Sequence, residues 1–77
     1  GSVMTSCKNL VLYGSLAARE LAKITLEDQP QVRRIDASAD LTQLRLVLSP
    51  ALTEKVLIPL LAKSGISGFR LDRASPS

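Results

Sequence analysis

Residues 42–65 read TQLRLVLSPALTEKVLIPLLAKSG and contain a strand pattern followed directly by a helix pattern. Leu44, Leu46 and Leu48 stand at every second position, so they would all point to one side of a strand. Arg45 and Val47 would then point to the other side. This alternation is typical of a strand with one buried face, and it predicts that the leucines belong to the core.

The second half of this stretch predicts a helix. Ser49 and Pro50 are typical of an N-cap and a first helical residue, because proline lacks only an N–H group that would be unbonded there. The apolar residues that follow at helical spacing are Leu52, Val56, Leu57, Leu60 and Leu61. Pro59 is expected to bend the helix or to leave its first half irregular, and Gly65 is expected to end it.

The N-terminal part of the chain predicts another strand and another helix. In residues 8–13 two leucines alternate with Val11 and Tyr13, which would face away from the core. Ser15 is a suitable N-cap for a helix over residues 16–27. The expected apolar stripe of this helix is Ala17, Leu21, Ile24 and Leu26. The side chains expected to face water are Arg19, Glu20, Lys23 and Glu27.

Two further strands, over residues 32–37 and 68–72, complete the pattern. The side chains expected to face the core are Ile35, Ala37, Phe69 and Leu71, with Val32 packing at the entrance of its strand. The order strand, helix, strand, strand, helix, strand predicts an α+β protein with a ferredoxin-like βαββαβ sandwich. In this fold two helices cover one face of a four-stranded antiparallel sheet.

One domain is expected, because 77 residues provide room for a single core. We assign residues 8–73 to this ferredoxin-like domain. Gly1 and Ser2 look like the remnant of a tag, so residues 1–7 are expected to be this remnant and a flexible start. Residues 74–77 are expected to be a flexible tail.

The composition is that of an ordinary globular domain, with 45% apolar and 22% charged residues. A net charge of +3 permits acidic partners but does not indicate nucleic acid. Cys7 is the only cysteine, so no internal disulfide can form, and a reducing compartment such as the cytoplasm is expected. The apolar runs are too short for a membrane span.

Three features resemble the heavy-metal-associated domains of copper chaperones and metal-pumping ATPases, which have this size and order of elements. They are Gly14 after the first strand, residues 32–36, and residues 49–66, SPALTEKVLIPLLAKSGI, which are similar to the family's second helix and its terminal glycine. The resemblance spans most of the chain and implies a ferredoxin-like fold. In that family a Cys-x-x-Cys pair after strand one binds a soft cation such as Cu(I). Here that loop reads YGSLAARE, so no metal-binding residue can be carried over.

Neither a conventional metal site nor a catalytic site is indicated. The chain has no histidine, and Met4 with Cys7 is the only pair of soft ligands. We interpret Met4 as an initiator residue and Cys7 as a free thiol, and we keep the pair only as a secondary candidate for Cu(I). Asp36, Asp40 and Glu54 are spaced like surface charges. Because no nucleophile has an evident base and no phosphate loop is present, the sequence predicts a protein that is not an enzyme and has no cofactor.

The face of the sheet away from the helices, which we call the open face, is the remaining candidate for function. Its expected occupants are Val11, Tyr13, Arg34, Asp36, Arg45, Val47, Arg70 and Asp72. Arginine and tyrosine contribute much of the energy of typical interfaces, so Tyr13, Arg45, Val47 and Arg70 are predicted to bind another protein or a second copy of this chain. The competing interpretation is a solvated face whose arginines pair with nearby acids. Edge pairing of strand two or strand four is another route to a dimer.

Other functions occur on the same topology. RNA-recognition modules stack bases on aromatic residues of the sheet, but only Tyr13 is present on the open face for that purpose. A small-ligand-sensing domain of the ACT type and a metal-handling domain with an altered site are the remaining alternatives. The sequence favours a non-enzymatic protein-interaction or accessory module with no conventional metal site.

Overall fold

The described residues form six elements in the predicted order. The computed structural model describes residues 6–48 and 54–73. The elements are β1 (Ser6–Tyr13), α1 (Leu16–Glu27), β2 (Val32–Ala37), β3 (Gln43–Leu48), α2 (Glu54–Lys63) and β4 (Gly68–Arg73). The strands form one antiparallel sheet in the order β2-β3-β1-β4. The predicted ferredoxin-like βαββαβ sandwich is therefore confirmed.

The core lies between the sheet and the two helices. Leu10 of β1 lies opposite Leu44 on β3 and opposite Leu71 on β4, so the apolar residues of neighbouring strands share one face. The buried residues of the core cluster are Leu10, Leu12, Ala22, Leu26, Leu44, Leu46, Leu48, Leu57 and Leu61. The leucines that strand alternation places on the inner face are all buried, which confirms that reading of β1 and β3.

The first helix buries a face other than the predicted one. Its buried residues are Ala18, Ala22 and Leu26. Of the predicted stripe only Leu26 is buried, whereas Leu21 and Ile24 are 47% and 62% exposed and Ala17 is exposed as well. Two alanines at four-residue spacing let the helix lie close to a sheet that already presents leucines, and a close-packed interior favours this match of small to large side chains.

The turn between β1 and α1 is tightly packed. Gly14 has a φ of +139°, and a Cβ atom added there would lie 3.2 Å from the Ser67 nitrogen, so this position requires glycine. The Ser67 N–H donates to the Tyr13 carbonyl oxygen at 2.8 Å. The Ser15 Oγ accepts from the Ala18 N–H at 3.2 Å, which confirms Ser15 as the N-cap.

Arg19, which was expected to face water, joins two turns at one end of the sheet. Its Nη1 donates to the Gly14 carbonyl oxygen at 2.6 Å, and its Nε donates to the Asp40 carbonyl oxygen at 3.1 Å. Gly14 lies in the turn before α1, and Asp40 lies in the turn between β2 and β3. Arg19 therefore connects parts of the chain that are distant in sequence.

The second helix runs through Pro59 without interruption from Glu54 to Lys63, so the expected irregularity does not break it. Leu57 and Leu61 are buried, as the helical spacing predicts, while Val56 is exposed. The predicted helix start, at Ser49, Pro50 and Leu52, lies outside the described residues. Gly65 ends the helical segment with a φ of +84°, and its N–H donates to the Ala62 carbonyl oxygen at 3.1 Å.

The ends and edges of the sheet add details that alternation did not predict. β1 begins two residues before the predicted start, because Ser6 and Cys7 pair with β3. The edge strand β2 has a bulge at Arg33, and Val32 packs against the core as predicted. The other edge strand, β4, pairs with β1 in an unbroken register over Gly68–Arg73.

Candidate interaction surface on the open sheet face

The open face presents its side chains in rows that cross the strands. Arg45 of β3 lies between Asp36 of β2 and Asn9 of β1, and Val11 of β1 lies opposite Arg70 of β4. In residues 6–48 and 54–73 neither helix covers this face, because the buried residues of both helices join the leucine cluster on the other side. The residues that share this face are Cys7, Asn9, Val11, Tyr13, Arg34, Asp36, Gln43, Arg45, Val47, Gly68, Arg70 and Asp72.

The four residues predicted to bind a partner lie on this face but do not form a compact cluster. They occupy four successive rows in the order Tyr13, Arg70, Arg45, Val47. Neighbouring rows are two residues apart, so the set extends over about 20 Å along the sheet. The arrangement is a broad surface and not a pocket.

Two arginines of the open face pair with a carboxylate two residues further along the same strand. Arg34 Nε lies 3.2 Å from Asp36 Oδ2, and Arg70 Nε lies 2.9 Å from Asp72 Oδ2. The side chains of Arg34 and Arg70 are 71% and 63% exposed, so each pair contributes only about 0–1 kcal/mol to stability. The pairs agree with the interpretation in which the arginines are neutralised locally.

Tyr13 is the aromatic residue of the open face and is 47% exposed. It lies opposite Gly68 in the register, and a Cβ atom built on Gly68 would be 3.7 Å from Tyr13 Cδ2. The tyrosine ring therefore lies close to Gly68 on the neighbouring strand. Tyr13 therefore offers apolar area and a hydroxyl group at one end of the face.

Cys7, the candidate metal ligand that lies within the described residues, is separated from the loop that follows β1. Cys7 is partly buried on the open face opposite Val47, and Met4 lies outside the described residues. Gly14 is seven positions after Cys7 along extended chain, a distance of about 23 Å, so the two positions cannot share one metal ion. In the described residues no group of three or more His, Cys, Asp or Glu side chains is arranged to hold a metal.

Asp40 organises the turn between β2 and β3. Its Oδ1 accepts from the Thr42 hydroxyl at 2.7 Å, the Thr42 N–H at 3.1 Å and the Ser38 hydroxyl at 2.9 Å. These donors, those of Thr42 first, lower the pKa of Asp40 from 3.8 to about 2. Asp36 pairs with Arg34, as described above, so both aspartates that were considered as ligands have local structural partners.

Sequence reasoning missed an apolar groove between α2 and β4. It has a volume of about 170 Å³ and is lined by Ile58, Leu61, Ala62, Ile66, Ser67, Gly68 and Phe69. Ile58 is 52% exposed at its rim. The available signal was the composition of α2, since EKVLIPLLAK has more apolar residues than a single buried stripe requires.

Two solved structures of the yeast copper transporter domain CCC2A, which was studied in apo and Cu(I)-loaded states, have the fold of this chain. One gives a TM-score of 0.62 at 15% sequence identity and the other 0.65 at 14%. Each comparison covers 94% of this chain and 99% of the CCC2A chain. No family model and no curated protein matches the sequence.

The comparison confirms, at the level of the fold, the resemblance to heavy-metal-associated domains. The defining motif of those domains is absent here, because a chain with one cysteine cannot contain a Cys-x-x-Cys pair. Within the described part of the chain, neither helix has the length and apolar character needed to cross a membrane.

Proposed function

We propose that this chain is a non-enzymatic protein-interaction module that binds its partner through the open face. The observation that carries the proposal is the half-exposed Tyr13 on a sheet face that neither described helix covers. Arg70 and Arg45 follow in the next rows, and Arg70 forms an exposed ion pair with Asp72. Tyrosine and arginine are among the residue types that contribute most to protein interfaces.

The size of the open face favours a weak and reversible complex. Four strands spaced by about 4.8 Å and a length of about 20 Å give a projected area of roughly 400 Å². Standard interfaces bury about 800 Å² on each partner, and smaller ones are typical of transient complexes. The two on-strand ion pairs can be exchanged for contacts to a partner at little cost, since exposed pairs contribute about 0–1 kcal/mol.

The proposal does not include metal transfer. CCC2A is a copper transporter domain by its description, and we propose that this chain shares its scaffold without its metal chemistry. Titration with Cu(I) under reducing conditions should give no tight 1:1 complex. Tight binding with NMR shifts centred on Cys7 would instead favour a metal-handling domain. With a single cysteine, we propose a reducing compartment such as the cytoplasm as its location.

The test is to capture a partner on the immobilised wild-type domain and to measure its affinity for variants. The triple variant Tyr13→Ala, Arg45→Ala, Arg70→Ala should keep its fold, because these side chains point away from the core, and should bind at least tenfold more weakly, about 1.4 kcal/mol. A matched triple variant with exposed helix residues replaced, Glu20→Ala, Lys55→Ala, Lys63→Ala, should bind like the wild type.

Equal affinity of the wild type and the open-face variant would rule out the open face as the binding site. NMR shifts of the labelled domain on adding the captured partner provide a second readout. They should be centred on Tyr13, Val47 and Arg70, and shifts confined to the helices would contradict the proposal.

A further inference from the structure

Among residues 6–48 and 54–73, no strand pairs with the outer edge of β4, which lies beside an apolar groove. We propose that two copies of this chain associate there in antiparallel orientation and extend the sheet to eight strands. The proposal concerns the edge of the sheet and not the open face, so it does not depend on the proposed function.

The backbone of β4 directs regularly spaced hydrogen-bonding groups outward. The Leu12 N–H donates to the Thr42 carbonyl oxygen on the β3 side of β1. Because backbone groups of successive strand residues alternate between the two sides, Val11 bonds towards β4, where its partner is Arg70. Phe69 and Leu71, the neighbours of Arg70, therefore direct their N–H and C=O groups to the free edge. Arg73 does the same, because it is two residues after Leu71.

The two edges of the sheet differ in their protection against pairing. β2 has a bulge at Arg33, and a bulge in an edge strand is a usual means of preventing edge-to-edge association. β4 has a regular register over its whole length, with no proline and no bulge. Of the two edge strands, β4 is the one that can accept another strand.

The charges on β4 select one register for a symmetric pair. In an antiparallel pair with a two-fold axis perpendicular to the sheet, a central residue lies opposite its own copy. If Leu71 is central, each Arg70 lies opposite Asp72 of the second copy, so opposite charges meet twice. If Arg70 or Asp72 is central, like charges meet. The Leu71 register also joins the outward-facing groups of Phe69, Leu71 and Arg73.

The apolar groove beside β4 supplies the side-chain contacts. Ile58 and Ala62 of α2 are exposed, and they line the groove together with Phe69 and Gly68. In the proposed register Arg73 of the second copy lies opposite Phe69 on this side of the sheet, where its aliphatic stem can cover the groove. Pairing would therefore remove exposed apolar surface as well as satisfy backbone groups.

Charge reversal on β4 provides the test. Sedimentation of the wild-type chain over a concentration series should show a monomer of 8.3 kDa in equilibrium with a species of twice that mass. Arg70→Asp alone, or Asp72→Arg alone, places like charges opposite each other and should raise the dissociation constant about tenfold or more. The double variant Arg70→Asp, Asp72→Arg restores opposite charges and should dimerise to within about threefold of the wild type.

The other edge strand provides a matched control, because β2 has the same Arg-x-Asp pair. Arg34→Asp should leave the dissociation constant unchanged. Weak complexes have dissociation constants of about 1 mM. A wild-type chain that is still monomeric at a protein concentration of about 1 mM would therefore overturn the proposal. So would single variants that dimerise as well as the wild type.

Amide hydrogen exchange of the wild type gives an independent readout that needs no substitution. In a monomer the Leu71 N–H faces solvent and exchanges rapidly, while that of Arg70 is bonded to β1. In the dimer the amides of Phe69, Leu71 and Arg73 become protected, and the protection should increase with concentration. Lack of protection at Leu71 in samples that sediment as dimers would show that the copies meet elsewhere and would overturn the proposal.

Discussion

At the scale of single residues, the turn between β2 and β3 depends on one carboxylate. Oδ1 of Asp40 accepts from Ser38 and Thr42, which lie two positions before and after it, and these bonds lower its pKa to about 2. The folded-state pKa is below the ordinary value of 3.8, so ionised Asp40 favours the folded state. This contribution is present above about pH 4 and is lost as the pH falls towards about 2.

Thr42→Val should raise the pKa of Asp40 towards 3.8, because it removes the hydroxyl donor that lowers the pKa most. The measurement is an NMR titration of the Asp40 carboxyl carbon in both proteins. Thr25→Val, which changes a threonine in α1, should leave the titration of Asp40 as it is in the wild type. An Asp40 that titrates near 3.8 in the wild-type protein would contradict the role assigned to these bonds.

Some residue-level features were predictable and others were not. Ser15 was identified as an N-cap because its capping bond involves residues three positions apart. The pairs Arg34–Asp36 and Arg70–Asp72 were within the alternatives considered, since residues two apart share a face of a strand. The contacts of Arg19 with Gly14 and Asp40 join distant turns, and no local pattern indicates them.

At the scale of elements, Pro59 is expected to reduce the stability of α2. Proline has no N–H to donate to the carbonyl oxygen of Lys55 one turn earlier, and Pro59 is exposed, so its side chain contributes little to packing. Pro59→Ala should therefore stabilise the domain by about 1–3 kcal/mol. Urea unfolding would measure the change.

The matched control for this helix is Lys55→Ala, an exposed substitution that should change stability by less than about 0.5 kcal/mol. A Pro59→Ala variant that is no more stable than the wild type would contradict the prediction that Pro59 destabilises α2.

The first helix shows why an element can be predicted correctly while its buried face is not. The two candidate stripes, one with Ala18, Ala22 and Leu26 and one with Leu21 and Ile24, are both apolar and lie side by side on the helix. Periodicity favours the larger side chains, but the space above a leucine-rich sheet admits the smaller ones. Only the packed structure decides between stripes of this kind.

At the scale of the whole molecule, stability depends on the buried cluster in which the leucines of β1 and β3 pack against both helices, with partly buried residues of β2 and β4 around it. Leu46 of the interior strand β3 is fully buried, so Leu46→Ala should cost about 2–5 kcal/mol by leaving a cavity. Leu21→Ala makes the same chemical change at an exposed position of α1 and should cost far less. Urea unfolding of both variants tests the core and the orientation of α1 together, and equal losses would contradict both assignments.

The fold was predictable because it follows from local patterns repeated along the chain. Alternation in β1 and β3 and the cap at Ser15 are each readable within a few residues. The order of the strands is that of the βαββαβ arrangement, in which each helix connects two strands that are not neighbours in the sheet. For the candidate surface, the sequence predicted only which residues share one face. Contacts between residues of neighbouring strands depend on the register in which the strands pair.

The pairing of Lys8 with Arg73 places the start of β1 and the end of β4 side by side. Strands paired in this way are about 4.8 Å apart, so the start of β1 and the end of β4 lie close together in space. A domain with this geometry can be inserted into a surface loop of a host protein without forcing the two sides of that loop apart. Attachments at either end would emerge from the same pole, which leaves the opposite pole, where Arg19 joins the turns at Gly14 and Asp40, unobstructed.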